Sequence, residues 1–177
     1  ELVDVGSILS ELSETIAEAK DRAADWDFKA RGFEAIGGGF EDNYQKAQFA
    51  MEHAARKKAT AEDFHEWRKR VKYHWYHCRL LETLWKPLIR ARCTESKHLA
   101  ELLGADHDSS LLDQMLNENA DQFSQNAETE RFQELLQHSQ EQLRRQAFQL
   151  GQRLFAEKPK HLVKRFGSFW TTWRDAA

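Results

Sequence analysis

The chain has 177 residues, enough for one sizeable core, and a single domain spanning residues 1–177 is the expectation for that length. With 41% hydrophobic residues, 31% charged residues and 2 prolines, it reads as a soluble, helix-rich globular protein, and no apolar run is long enough to cross a bilayer. A net charge of -3 excludes the uniformly basic surface that coats a nucleic-acid duplex.

The hydrophobic spacing predicts an all-α fold, a helical bundle of about six helices with a long central basic helix and no alternating strand pattern. Val5, Ile8, Leu9, Leu12 and Ile16 mark a first helix from Val3 to about Asp25. Gly37-Gly38-Gly39 predicts a break, and a second helix follows from about Asp42 to Lys58. Thr60 or Asp63 is placed to cap the basic helix, Phe64 to Trp85, which Pro87 then bends or ends. A short helix from about Thr94 is expected to stop at Gly104, with Asp106 or Asp108 capping the helix of Leu111, Leu112, Met115 and Leu116. Asn117 to Asn126 reads as a loop. A Gln-rich helix follows from about Glu128 to Ala156, and Lys158-Pro159 opens the last one.

Charge is segregated along this order. From His53 to His98 there are twelve Lys/Arg against five Asp/Glu, from Glu101 to Glu141 ten acids against one arginine, and from Arg144 onward eight bases against two acids. Such confinement points to a localised groove. At about 100° per residue, His65, Arg68, Lys69, Lys72, Tyr76 and Arg79 share one sector of the basic helix. Trp67, Val71, Cys78, Leu81 and Trp85 form an apolar stripe opposite, and Tyr73, Leu80 and Leu84 add a second apolar edge. Burying both faces would aim the cations into a cleft. Like charges in a row repel unless water or an anion lies between them, so an extended polyanion is the natural partner. Two further rows are expected to contribute: His161, Lys164 and Arg165 on the last helix, and Lys46, His53 and Lys57 on the second.

Other chemistry has weaker support. His74 and His77 have a metal-ligand spacing, yet His74 falls among apolar residues and reads as a hydrogen-bonded core histidine. His107-Asp108 matches two residues of the His-Asp metal-dependent phosphohydrolases, a match too short to outweigh a helix cap. Neither Cys78 nor Cys93 has an evident catalytic base. Two cysteines and no signal-peptide pattern suit a reducing, cytoplasmic compartment.

Three segments carry a resemblance to a family. They are His65-Glu66-Trp67-Arg68-Lys69-Arg70-Val71-Lys72, Leu103-Gly104-Ala105-Asp106-His107-Asp108, and Tyr44-Gln45-Lys46-Ala47-Gln48. Together they resemble the conserved histidine α-helical domain, CHAD, over about residues 33–173, in the manner of the second half of a tandem helical-bundle architecture. The resemblance implies non-catalytic binding of inorganic polyphosphate in a cationic groove and association with polyphosphate granules; no cofactor or metal is expected from the residues. The implied contacts are His65, Arg68, Lys69, Lys72 and Arg79, joined by Tyr44, Lys46, Lys164 and Arg165. Gln48 departs from the family's usual arginine. The alternatives are a nucleic-acid or protein adaptor using the same basic face, or a metal-dependent phosphohydrolase built on His107 and Asp108. No membrane partner is expected.

Overall fold

The computed structural model describes residues 4–27, 30–119 and 127–176, and every regular element among them is helical. The chain, read from sequence as one domain, divides into two compact units, residues 1–35 and 36–177. The first unit holds helix α1 (Val5–Ala24), whose Asp4 carboxylate accepts hydrogen bonds from the Gly6 and Ser7 amides at 3.0 and 3.3 Å. This side-chain cap satisfies amides that have no partner within the helix. None of its residues is buried, and its apolar stripe is exposed.

The second unit is built from α2 (Glu34–Ala54) beyond its first two residues, α3 (Ala61–Leu80), α4 (Lys86–Glu118), α5 (Ala127–Leu154) and α6 (Pro159–Asp175). The expected break at Gly37-Gly38-Gly39 is not there, because all three glycines lie inside α2. The turn comes earlier, at Gly32, whose φ of 63° is the left-handed conformation that only glycine adopts at low cost. Thr60 and Asp63 cap α3 jointly. The Thr60 hydroxyl accepts from the Asp63 amide at 3.3 Å, and the Asp63 carboxylate accepts from the Thr60 amide at 2.7 Å. The bonds that the carboxylate accepts from the Thr60 amide and, at 2.9 Å, from the Thr60 hydroxyl hold the Asp63 carboxyl below its ordinary pKa.

Helix α3 ends at Leu80, before Trp85, and a short 3-10 turn (Glu82–Leu84) reverses the chain. Pro87 does not terminate anything: it sits in the first turn of α4, where its missing N–H costs no hydrogen bond. Helix α4 then runs for 33 residues straight through Gly104, so the short helix and the caps expected at Asp106 and Asp108 are replaced by one continuous element. The loop expected from Asn117 begins only at Asn119, and its remainder, residues 120–126, lies outside the described residues. Lys158-Pro159 opens α6 as the sequence implies.

The core gathers Phe40, Tyr44 and Ala47 of α2, Phe64, Trp67 and Val71 of α3, Ile89, Leu99 and Leu103 of α4, and Leu162 and Phe166 of α6. Trp67 is wholly buried and stacks on Phe148, with ring centroids 5.0 Å apart. Gly151 lets α5 approach it, since a Cβ there would meet the indole at 2.6 Å. The second apolar edge of α3 is overturned. Tyr73 and Leu80 are exposed, the latter at 78%, and Trp85 is half exposed, edge-on to Phe169. Burial of α3 thus rests on a single stripe.

Two polar ties fix α5. Asp106, 1% exposed, binds Arg144 with its two carboxylate oxygens at 2.6 and 3.4 Å, and the Arg144 guanidinium also lies 4.1 Å from the Phe64 ring centroid. At the other end, carbonyls left without helical partners are capped from α2 and α4. The Leu154 carbonyl accepts from the Tyr44 hydroxyl at 3.1 Å and from Arg92 at 2.7 Å. The Gln48 amide donates to the carbonyls of Phe155 and Glu157 at 2.8 and 3.0 Å. A cation at a helix C-terminus also opposes the helix dipole.

Candidate functional site: a groove between two antiparallel helices

Two contacts set the register of the α3–α4 hairpin. The Arg68 guanidinium lies across Gly104, where a Cβ would come within 3.3 Å of Nε, and the His65 ring meets His107 with centroids 4.9 Å apart. Glycine at 104 therefore serves close approach of a side chain, not helix termination. Between the helices runs a groove of about 340 Å³, lined by Arg68, Lys72 and Trp75 from α3 and by Lys97, Ala100, Glu101, Gly104, Ala105 and Asp108 from α4.

The α3 wall is cationic along its length. His65 extends the row at one end. Arg79 extends it at the other, its guanidinium 5.4 Å from the Trp75 ring centroid, a cation–π distance that orients the charge. From His65 to Arg79 is fourteen residues, or about 21 Å of helix. Arg68 Nε is buried with no acceptor among the described protein atoms, and so is His65 Nδ1. Buried polar groups ordinarily find partners, and these two are left unsatisfied by the described protein atoms. The α4 wall is mixed: Lys97 pairs with Glu101 at 3.3 Å, and Asp108 adds a second carboxylate.

The remaining expected contacts do not converge here. Lys69 pairs with Glu66, which Arg70 also binds at 2.6 Å. Partial burial raises the Glu66 carboxyl, but the Lys69 and Arg70 charges outweigh it and leave its pKa below the ordinary value. Lys46 pairs with Asp42 at 2.6 Å and lines a separate cavity of about 250 Å³ with His53, Asp63, Glu66 and Arg70. Arg165 pairs with Glu157 at 2.5 Å and lines a third, of about 70 Å³, with Arg92 and Phe166; exposed Lys164 is not part of the groove lining. Tyr44 is corrected outright: it is 0% exposed, and its hydroxyl is committed to Leu154. Burial raises its pKa, against the lowering pull of Arg92.

His74 is a core residue. It is fully buried, stacks on Phe40 at 5.5 Å and accepts from Arg92 Nε at 2.9 Å through Nε2. Burial, then the Arg92 charge and His77, push its pKa well down, so it is neutral and an acceptor. His77 is lowered by burial alone. Among the described residues no group of three His, Cys, Asp or Glu side chains is placed to hold a metal. Among them, too, no helix is long and apolar enough to cross a membrane.

Lys97 is the groove cation that the sequence reading missed. Lys97, Glu101, Gly104 and Asp108 follow helical spacing of four, three and four residues, a signal hidden by ending the helix at Gly104. Arg92 was missed as well, and nothing local marks it, because its partners lie 18 and 62 residues away in sequence.

Comparison with known proteins gives one family. The family described as CHAD domain matches residues 9–117, which include α2, α3 and nearly all of α4. No curated protein and no solved structure matches the chain.

Proposed function

The chain belongs to the CHAD domain family, and from that premise we propose that it is a binding module for inorganic polyphosphate, held along the α3 wall of the groove. The observation that carries this reading is the groove between α3 and α4, lined by Arg68 and Lys72 and only partly neutralised by the facing helix, with His65 and Arg79 continuing the same helical row beyond its two ends. Arg68 presents a planar fork to phosphate oxygens, whereas Lys72 and Lys97 act as point charges. Lys69 joins from the flank after exchanging Glu66 for phosphate. Lys46, Lys164 and Arg165 stand apart from this path and serve at most longer chains that wrap beyond it. Many weak contacts to one chain add up, whereas a single phosphate engages only one or two of them. Displaced counterions make the binding salt-dependent, by the physics of nucleic-acid backbones. The reading places the protein in the cytoplasm, where polyphosphate granules offer the ligand at high local concentration.

The test replaces Arg68, Lys72 and Lys97 together with alanine. Affinity for long-chain polyphosphate should fall by two orders of magnitude or more, since charge-assisted bonds contribute about 1.5–3 kcal/mol each. Circular dichroism should remain helical, as the apolar stripe is untouched. A folded triple variant that still binds as tightly as the wild type would place the site elsewhere.

A further inference from the structure

We propose that Cys78 of α3 and Cys93 of α4 are a peroxide-sensitive dithiol that closes into a disulfide and staples the two walls of the groove together. The inference is independent of what the groove binds. These are the chain's only two cysteines, fifteen residues apart across the 3-10 turn, and both are free and buried. The register of the hairpin brings them together. Arg68 lies against Gly104 and His65 against His107, so each step toward the turn on α3 is matched by one on α4. Ten residues on from Arg68 is Cys78, and eleven back from Gly104 is Cys93. The two thiols accordingly share a hydrogen bond. Cys78 Sγ also lies 3.5 Å from His74 Nε2, the atom that Arg92 binds. Among the described residues no group of three such side chains is placed for a metal, so two thiols in contact point to disulfide chemistry.

Their surroundings divide the roles. Cys93 is 6% exposed and Cys78 0%, so a small oxidant reaches Cys93 first. The hydrogen bond from the Cys78 thiol stabilises the Cys93 thiolate and, helped by the Arg79 and Arg90 charges, lowers its pKa against burial and Glu82. The same bond, together with burial, pushes the Cys78 thiol well up despite Arg92. Thiolate is the nucleophilic form, so Cys93 attacks while Cys78 stays protonated behind it.

In the first step the Cys93 sulfur attacks hydrogen peroxide. An S–O bond forms, the O–O bond breaks, and the departing hydroxide takes up the proton that Cys93 released. Cys93 becomes a sulfenic acid, having given two electrons to the peroxide. The Cys78 sulfur then attacks the Cys93 sulfur: an S–S bond replaces the S–O bond, and hydroxide leaves with the Cys78 proton as water. Two thiols and one peroxide give one disulfide and two waters. A dithiol reductant reverses the change by exchange. The bond ties the last turn of α3 to early α4, and it removes freedom from the unfolded chain by closing the loop between them.

The test treats the folded protein with equimolar hydrogen peroxide at neutral pH, then unfolds it in an alkylating agent. Intact mass and non-reducing peptide mapping read the product. The wild type should lose two hydrogens, stay monomeric and yield one peptide pair joined through Cys78 and Cys93. Its Tm should rise by about 5 °C or more and return on reduction with dithiothreitol. In Cys78→Ala the reaction should stop at a Cys93 sulfenic acid that dimedone captures, and Cys93→Ala should react at least roughly tenfold more slowly than the wild type. The wild-type mass and map stand whether or not either variant folds. Two thiols still open to alkylation after peroxide, or disulfide-linked dimers in place of the internal bond, would overturn the proposal. Oxidation of folded Cys93→Ala at the wild-type rate would overturn the assignment of Cys93 as the attacking thiol.

Discussion

Replacing Tyr44 with phenylalanine separates a residue that holds the fold from one that holds a ligand. The side chain is fully buried, and its hydroxyl makes one of two hydrogen bonds to the Leu154 carbonyl, at 3.1 Å beside the 2.7 Å bond from Arg92. Removing the hydroxyl leaves the carbonyl with its shorter, charged donor, so no acceptor is orphaned. The loss is then one neutral bond, about 1 kcal/mol. For a chain of this size that corresponds to a fall in Tm of about 2–4 °C. Arg92→Met is the harsher control, because it strips a donor from Leu154 and from His74 Nε2 at once. It should cost about 2–4 kcal/mol, two buried groups being left with less than they need. Urea unfolding followed by circular dichroism measures both, and polyphosphate titration of each folded variant completes the comparison. Tyr44→Phe should bind as the wild type does. A tenfold loss of affinity with unchanged stability would return Tyr44 to the site.

Trp67→Ala should destabilise the protein by about 3–5 kcal/mol in urea unfolding, whereas Trp85→Ala, half exposed outside the core, should cost less than about 1.5 kcal/mol. Stability should also fall below the imidazole range, since buried His74 has its folded pKa depressed and the unfolded chain takes the proton first. That contributes about 1.4 kcal/mol per pH unit from near pH 6.5 downward, until the folded pKa is reached. His74→Gln retains an acceptor toward Arg92 and should flatten the dependence; an unchanged slope of Tm against pH would contradict the assignment.

The helical class, the number of helices and the local signals at Thr60, Asp63 and Pro159 were legible because they act within a turn or two of chain. Glycine was misread twice, at Gly37-Gly38-Gly39 and at Gly104. Its absent side chain signals either a break or a close approach, and only the neighbouring helix decides which. At Gly104 that neighbour is Arg68, far off in sequence. The α3 row was readable from periodicity alone. Which other cations join it depends on how α2 and α6 turn against the hairpin, and that packing sends Lys46 and Arg165 to separate cavities. Tyr44 has the composition of a binding residue, and no local feature reveals that Leu154 uses its hydroxyl.

Competition by chain length reads out whether one groove holds a chain of phosphates. Labelled long-chain polyphosphate bound to the wild-type protein is challenged with orthophosphate, with polyphosphate and with single-stranded DNA, each at equal phosphate concentration over a salt series. Polyphosphate should displace the label at concentrations orders of magnitude below orthophosphate, DNA should compete less well than polyphosphate, and binding should weaken linearly in log salt. Equal potency of orthophosphate and polyphosphate per phosphate, or stronger competition by DNA, would contradict binding of a phosphate chain in one groove.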